Sequence, residues 1–273
     1  MTRTIAIVMQ KGGTGKTTCA INLAAGLARG IGDNNLTPQR VLLVDIDPQA
    51  NATAVFLSAQ FTLGPTDDTI TSYEVLVHQT PAQEAIRRVS LPANKRNNLP
   101  EATVDLLPAH IRLARAELDL LGVLRREDRL ATALRKVAAD YDFILIDCPP
   151  SLGILTVNAL MASDEIIIPV EPGYFPLIGI GLLQQTINDV AQINDLQLTG
   201  VIPTMQDRTV ESRETLEALE QMFAGKVLPP IPSRVAVRNA HAAQMDIFSY
   251  ATDSASQDAV EAFTLLVKEV HNG

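Results

Sequence analysis

Between Gln10 and Thr18 the chain reads Gln-Lys-Gly-Gly-Thr-Gly-Lys-Thr-Thr. Glycines let backbone N–H groups converge on an anion without Cβ obstruction. A helix opening near Thr17 would aim its positive end at the same point. The chemistry this suits is the binding of a polyphosphate by Gly12, Gly13, Thr14, Gly15, Lys16, Thr17 and Thr18. Lys16 would reach the β- and γ-phosphates, and the Thr17 hydroxyl would ligate Mg²⁺. The common pattern Gly-x-x-x-x-Gly-Lys-Ser/Thr is not met, because its first glycine falls on Gln10. A second lysine, Lys11, stands instead at the front of the loop.

Two further places carry acids at the end of an apolar run. Val41 to Val44 leads into Asp45-Ile46-Asp47-Pro48-Gln49-Ala50-Asn51. Asp45 and Asp47 are two apart, so on a continuing strand they would share one face. Phe143 to Ile146 leads into Asp147-Cys148-Pro149-Pro150-Ser151. A buried strand closed by one Asp is a weak signal alone and a strong one beside a phosphate loop.

These residues need strands that end on one rim. The pattern predicts strands at Thr4 to Met9, Val41 to Val44, Val104 to Leu107, Phe143 to Ile146, Glu165 to Val170 and Leu198 to Ile202, with a short one near Val227. Helices are expected at Thr17 to Arg29, Tyr73 to Val77, Ile111 to Leu121, Arg126 to Ala139, Leu177 to Ile193, Glu211 to Phe223 and Ser254 to Val270. Residues 31–39 read as a polar loop, and 58–103 are the least legible stretch. Continuous apolar strands separated by helices imply a doubly wound, mostly parallel α/β sheet covered on both faces, the P-loop NTPase arrangement. Right-handed crossovers then bring the strand C-terminal ends, and the ligand chemistry, to one rim. No linker divides the chain, so one domain over residues 1–273 is expected.

Composition agrees. Apolar residues make up 47% of the 273, and aromatics only 4%, so the core is aliphatic. The two cysteines, Cys19 and Cys148, are too few and too far apart for a disulfide framework or a zinc site, and read as core thiols of a reducing cytoplasm. Neither a signal-peptide core nor an apolar stretch long enough to span a membrane is visible. The net charge of −9 leaves DNA contact only to a concentrated basic face.

The segment KGGTGKTT resembles the deviant Walker A motif of the ParA/MinD group, DIDPQAN resembles that family's DxDPQxN, and DCPPS its DxPPS. The likeness continues through Val201 to Arg208 and Ile231 to Ala240. It implies a ParA-type ATPase for segregating a plasmid or chromosome, or for positioning another cargo. By this resemblance Lys11 reaches across an ATP-dependent homodimer to the partner's nucleotide. Asp47 orients the attacking water. Asp45 supports the Mg²⁺ shell, and Asp147 holds Mg²⁺ through water. Met205, Pro232 and Arg234 would contact adenine. Arg208, Arg213, Arg234 and Arg238 would meet DNA without sequence preference. A ParB-like activator and a cytoplasmic, nucleoid-associated location are implied as well.

Other readings compete. A MinD-like membrane switch needs a basic amphipathic tail. Here the last helix sets Asp258, Glu261 and Glu269 against Lys268, so no membrane partner is expected. A metal-cluster reductase needs free thiolates, and Cys19 and Cys148 lie within packed elements. A metabolic P-loop enzyme needs a second substrate pocket, for which the sequence carries no marker. The arginines Arg125, Arg126 and Arg129 read as a solvated helix face.

Overall fold

The computed structural model describes residues 1–32, 37–58, 61–62, 69–251 and 253–273. Parts of the polar loop 31–39 and of the stretch 58–103 therefore lie outside the described residues. The strands are β1 (Arg3–Ile7), β2 (Val41–Asp45), β3 (Arg87–Leu91), β4 (Ala102–Leu107), β5 (Phe143–Asp147), β6 (Glu165–Val170) and β7 (Gln197–Pro203). They form one seven-stranded sheet in the order β3-β4-β2-β5-β1-β6-β7. β1 pairs in parallel with β5 and β6, β2 with β4 and β5, and β7 with β6. Among the described strands β3 alone runs antiparallel, against β4.

The helices are α1 (Lys16–Arg29), α2 (Asn51–Phe56), α3 (Ser72–Val77), α4 (Arg129–Leu134), α5 (Ile154–Met161), α6 (Tyr174–Ala191), α7 (Val210–Met222), α8 (Val235–Ala242), α9 (Ile247–Tyr250) and α10 (Gln257–Asn272), with shorter turns between them. The inner strands feed two cores, because successive side chains leave on opposite faces. Ala6, Leu42, Val44, Ile144 and Ile146 enter the core that α3 to α6 cover. Ile5, Ile7, Val41, Leu43 and Leu145 enter the core beneath α1 and α10. Buried apolar residues on both faces explain the unbroken apolar runs of the sequence.

Register levels the rim. Ile7 lies beside Asp147, and Asp147 beside Asp45. β5 fills the slot between β1 and β2, while β6 lies on the other side of β1. The chain thus reverses direction across the sheet at β1, and a crevice opens where ligands of such sheets bind.

The expected helix over Ile111 to Leu121 is instead a 3₁₀ turn at Ile111–Arg115 and a single α turn at Ala116–Asp119. Leu113, Ala116 and Leu120 are buried, but Leu118, Leu121 and Leu124 face solvent. Without a continuous buried stripe a longer helix has little to hold it, and Gly122 then turns left-handed at φ 74°. The helix expected over Arg126 to Ala139 contracts to α4 with 3₁₀ turns on either side. Near Val227 there is one isolated bridge, to Val201, and no strand.

Candidate active site

The glycine loop runs from the end of β1 into α1. Gly13 and Gly15 are left-handed, at φ 80° and 88°. Gly15 is the N-cap of α1 and offers no capping side chain, so the first N–H groups of the helix stay available to an anion. The end of β7 braces the loop from outside. The Thr204 hydroxyl donates to the Thr14 carbonyl at 2.8 Å. A Cβ on Gly15 would stand 3.4 Å from the Thr204 methyl. Lys16 is almost wholly buried, and its Nζ donates to the Lys11 carbonyl at 3.1 Å. Burial holds its pKa below the ordinary lysine value, against the pull of Asp147, Cys148 and Asp47. Lys11 is half exposed, and its ammonium forms an ion pair with Glu171.

The three acids sit differently from one another. β2 stops at Asp45, so Asp47 lies in the following turn and not on a shared strand face. Asp45 is fully buried and engaged within the chain. It accepts from the Asp47 amide at 3.1 Å, the Thr53 amide at 2.9 Å and the Thr53 hydroxyl at 2.7 Å. It therefore ties the start of α2 to the rim and sets the turn that carries Asp47. Asp47 in turn accepts from the Gln49 amide at 2.9 Å. Burial raises its pKa, while Gln49 and Lys16 oppose that rise. Asp147 is also fully buried, yet neither of its carboxylate oxygens has a hydrogen-bond partner. Burial first and the neighbouring Asp45 second push its pKa well above the usual carboxylate range, with Thr17, beside it, acting the other way.

Above these residues lies an open cleft of about 740 Å³. Gly12, Gly13, Gly15, Lys16, Thr17 and Thr18 form one wall, and Asp47 a second. Thr14 is buried within the loop and Asp45 and Asp147 beneath it. Sequence reasoning left out Gln49, Asn51, Pro150, His241 and Gln244, which also line the cleft. Gln49, Asn51, Pro150 and Thr204 stood within quoted motifs or segments, but Thr53 and His241 carried no signal. The Nε2 of His241 is buried without a partner, and burial keeps its pKa below the ordinary histidine value.

A smaller, apolar pocket of about 150 Å³ adjoins the cleft and shares Gly15, Thr18 and Met205 with it. Met205, Pro232 and Arg234 meet there, together with Ile231, Val237 and Arg238. The strand end and the Pro-rich turn are held together by Gln206 and Pro232. The Gln206 amide donates to the Ile231 carbonyl at 3.0 Å, and the Ser233 amide to the Gln206 carbonyl at 2.8 Å. Of the four arginines, Arg234 pairs with Asp258 at 2.6 Å and Arg213 with Glu217 at 3.9 Å. Arg208 and Arg238 are exposed and form no ion pair among the described residues. Arg125 pairs with Asp128 and Arg126 with Glu127, but Arg129 is half-buried with its Nη1 enclosed and without a hydrogen-bond partner, so the three do not make one solvated face. Both cysteines are buried and free.

The sequence and the fold both have relatives. The family described as an AAA domain matches residues 2–199. Sporulation initiation inhibitor protein Soj of Bacillus subtilis is 40% identical over 99% of this chain and 98% of its own length. Chromosome partitioning protein ParA of Caulobacter vibrioides is 35% identical over 98% and 93%. Among solved structures, one described as cobyrinic acid a,c-diamide synthase from Mycobacterium smegmatis, with bound ATP analogue and magnesium, is 36% identical. It superposes with a TM-score of 0.71 over 89% of this chain and 94% of that one. A plasmid partition protein of Borrelia burgdorferi bound to AMPPNP shares the fold, at 24% identity and a TM-score of 0.77 over the whole of both chains. With the glycine loop, the turn of Asp47 and the buried Asp147 gathered at one rim, this chain belongs to the ParA/Soj family of P-loop ATPases.

Proposed function

We propose that the protein is a ParA-type switch that binds MgATP in the cleft, pairs with a second copy in the ATP state, holds DNA without sequence preference in that state, and is reset when a ParB-like partner stimulates hydrolysis. The observation that carries this reading is Asp147. A buried carboxylate that makes no well-formed hydrogen bond, with the Thr17 hydroxyl beside it, is costly, and a hydrated divalent cation beneath the phosphate loop would supply the missing donors. The donor set of Thr17 hydroxyl and Asp147 carboxylate suits a hard cation such as Mg²⁺.

MgATP brings the scissile anhydride and a cation that spreads the charge on its oxygens. The protein's own groups position and neutralise. The α1 N-terminus and the loop amides face the phosphates, and Lys16 leaves the Lys11 carbonyl to serve them. Asp47, fixed by Gln49 and by Asp45, orients the attacking water. Asp45 acts by holding that turn, since its oxygens are already engaged. Lys11 supplies a charge in trans, as an arginine finger does. Met205, Pro232 and Arg234 face the base. Arg208 and Arg238 are the stronger candidates for DNA phosphates, because Arg213 and Arg234 have acidic partners. We take residues 1–273 as one P-loop unit, which the single sheet and the packing of α10 on α1 support. The cytoplasm, on the nucleoid, is the proposed location.

The test is hydrolysis and mass together. Lys16→Ala should weaken ATP binding about 10- to 100-fold, the worth of a charge-assisted contact. Asp47→Ala should keep ATP and lose about 10²-fold or more in turnover. Light scattering should show a monomer with ADP and a dimer with ATP. Equal mass in every nucleotide state would remove the switch. A metabolic enzyme is the second reading, favoured by the likeness to the structure described as a diamide synthase. Turnover that requires a small carboxylic acid would select it.

A further inference from the structure

We propose that Glu171 is a positioning residue that holds the Lys11 side chain within its own protomer, so that engaging a second protomer requires this ion pair to open. The proposal rests on the reading of Lys11 as a charge supplied in trans.

Residue 11 is pinned twice in the resting chain. Its carbonyl accepts from Lys16 Nζ at 3.1 Å and from the Thr14 hydroxyl at 3.4 Å. Its ammonium meets Glu171. Both loop lysines are thus satisfied internally, Lys16 by the backbone of residue 11 and Lys11 by Glu171.

Glu171 is well placed to act in this way. It follows Val170, the last residue of β6, and β6 lies next to β1 in parallel, so it stands on the rim beside the glycine loop. Two residues on, the Gly173 amide donates to the Thr215 hydroxyl of α7 at 3.0 Å, which anchors the segment. The Glu171 side chain is 18% exposed and that of Lys11 46%. The carboxylate is therefore the fixed partner, and the lysine reaches it from the solvent side. Among the described residues neither forms another ion pair. A phosphate group on a facing protomer would compete with Glu171 for the same ammonium. Because the pair is half open to water, the competition is modest, sensitive to salt and reversible.

The experiment is the protein concentration at half-dimerisation, by light scattering with a non-hydrolysable ATP analogue. The parent, Glu171→Gln, Lys11→Ala and the double variant are compared, with apo thermal unfolding as the control for folding. Glu171→Gln should lower the midpoint about two- to five-fold, the range of a partly exposed ion pair. The gain should vanish in the Lys11→Ala background. An unchanged midpoint in Glu171→Gln, while Lys11→Ala raises it well above the parent's, overturns the proposal and leaves the trans lysine standing. An equal shift in both backgrounds also overturns it, since Glu171 would then act on the fold at large. A Lys11→Ala midpoint equal to the parent's removes the underlying reading and the proposal together. If Glu171→Gln folds poorly, Glu171→Ser is read by the same outcomes.

Discussion

Two carboxylates stand side by side where β2 and β5 end, and neither meets water. Burial pushes Asp45 up to about 7 despite its three donors, and Asp147 well above the carboxylate range. Their folded pKa values lie above the unfolded ones. Stability from this source is thus full below about pH 4 and is lost as pH rises, for Asp45 through about 7 and for Asp147 on the way up to its own raised value. In metal-free buffer, Asp147→Asn should raise Tm at pH 8 by about 2–4 °C, the shift of roughly 1 kcal/mol for a chain of this size. The gain should disappear near pH 4 and be accompanied by loss of Mg²⁺-dependent turnover. A Tm difference that does not change with pH would mean that charge at Asp147 is not the cause. The acids and lysines themselves were legible, because a strand that ends in Asp beside a glycine loop has a chemical reason to exist. Their division of labour was not. Nothing in the spacing of Asp45 and Asp47 reveals that Thr53 occupies Asp45, or that Asp147 makes no well-formed hydrogen bond beside Thr17. Such facts depend on which distant backbone comes close.

α1 is a lever held at both ends. Its N-terminus forms the phosphate loop, and Gly30 closes its C-terminus in a left-handed cap. Just before that cap, Arg29 lies fully buried against Asp246, with Nη1–Oδ1 at 3.2 Å and Nη2–Oδ2 at 3.3 Å. Arg29 also donates to the Ser249 hydroxyl at 2.6 Å and to the Pro92 carbonyl at 3.2 Å, while Asp246 caps α9. Asp246→Ala strands a buried guanidinium and should cost about 3–5 kcal/mol in urea unfolding. Arg29→Met with Asp246→Leu should recover most of that loss, since an apolar pair of similar volume leaves no charge behind. If the double variant is as weak as the single one, the helix cap at Asp246 carries the stability instead. The sequence shows α1 clearly, from its apolar stripe to Gly30. It hides β3, whose Arg-Arg-Val-Ser-Leu alternates as an edge strand must, with Val89 and Leu91 inward and Arg88 and Ser90 outward. It also hides α8 and α9, which are too short to show a period; α9 packs on α1 and α8 packs on α9.

At the scale of the molecule the charge is −9, so DNA can be held only where cations gather free of acids. Arg208 and Arg238 are exposed and form no ion pair among the described residues, and two-fold pairing would double them. With ATP, affinity for unrelated duplexes should be similar and should fall steeply with salt. Arg208→Ala or Arg238→Ala should reduce the slope of log affinity against log salt by about 1, and by about 2 if both copies touch DNA. Arg213→Ala, already paired with Glu217, should change it little. No binding at low salt would leave a switch that works through another surface. The C-terminal helix has one more consequence, for the newborn chain. Gly26 leaves room for Val267 against α1, where any Cβ would lie 2.4 Å from the valine methyl, and Arg3 donates to the Val270 carbonyl at 2.6 Å. On the ribosome α1 emerges long before α10, which gives it this cover. Until α10 follows, the face of α1 that Val267 covers lacks this partner, and the helix that carries the phosphate loop is held less firmly.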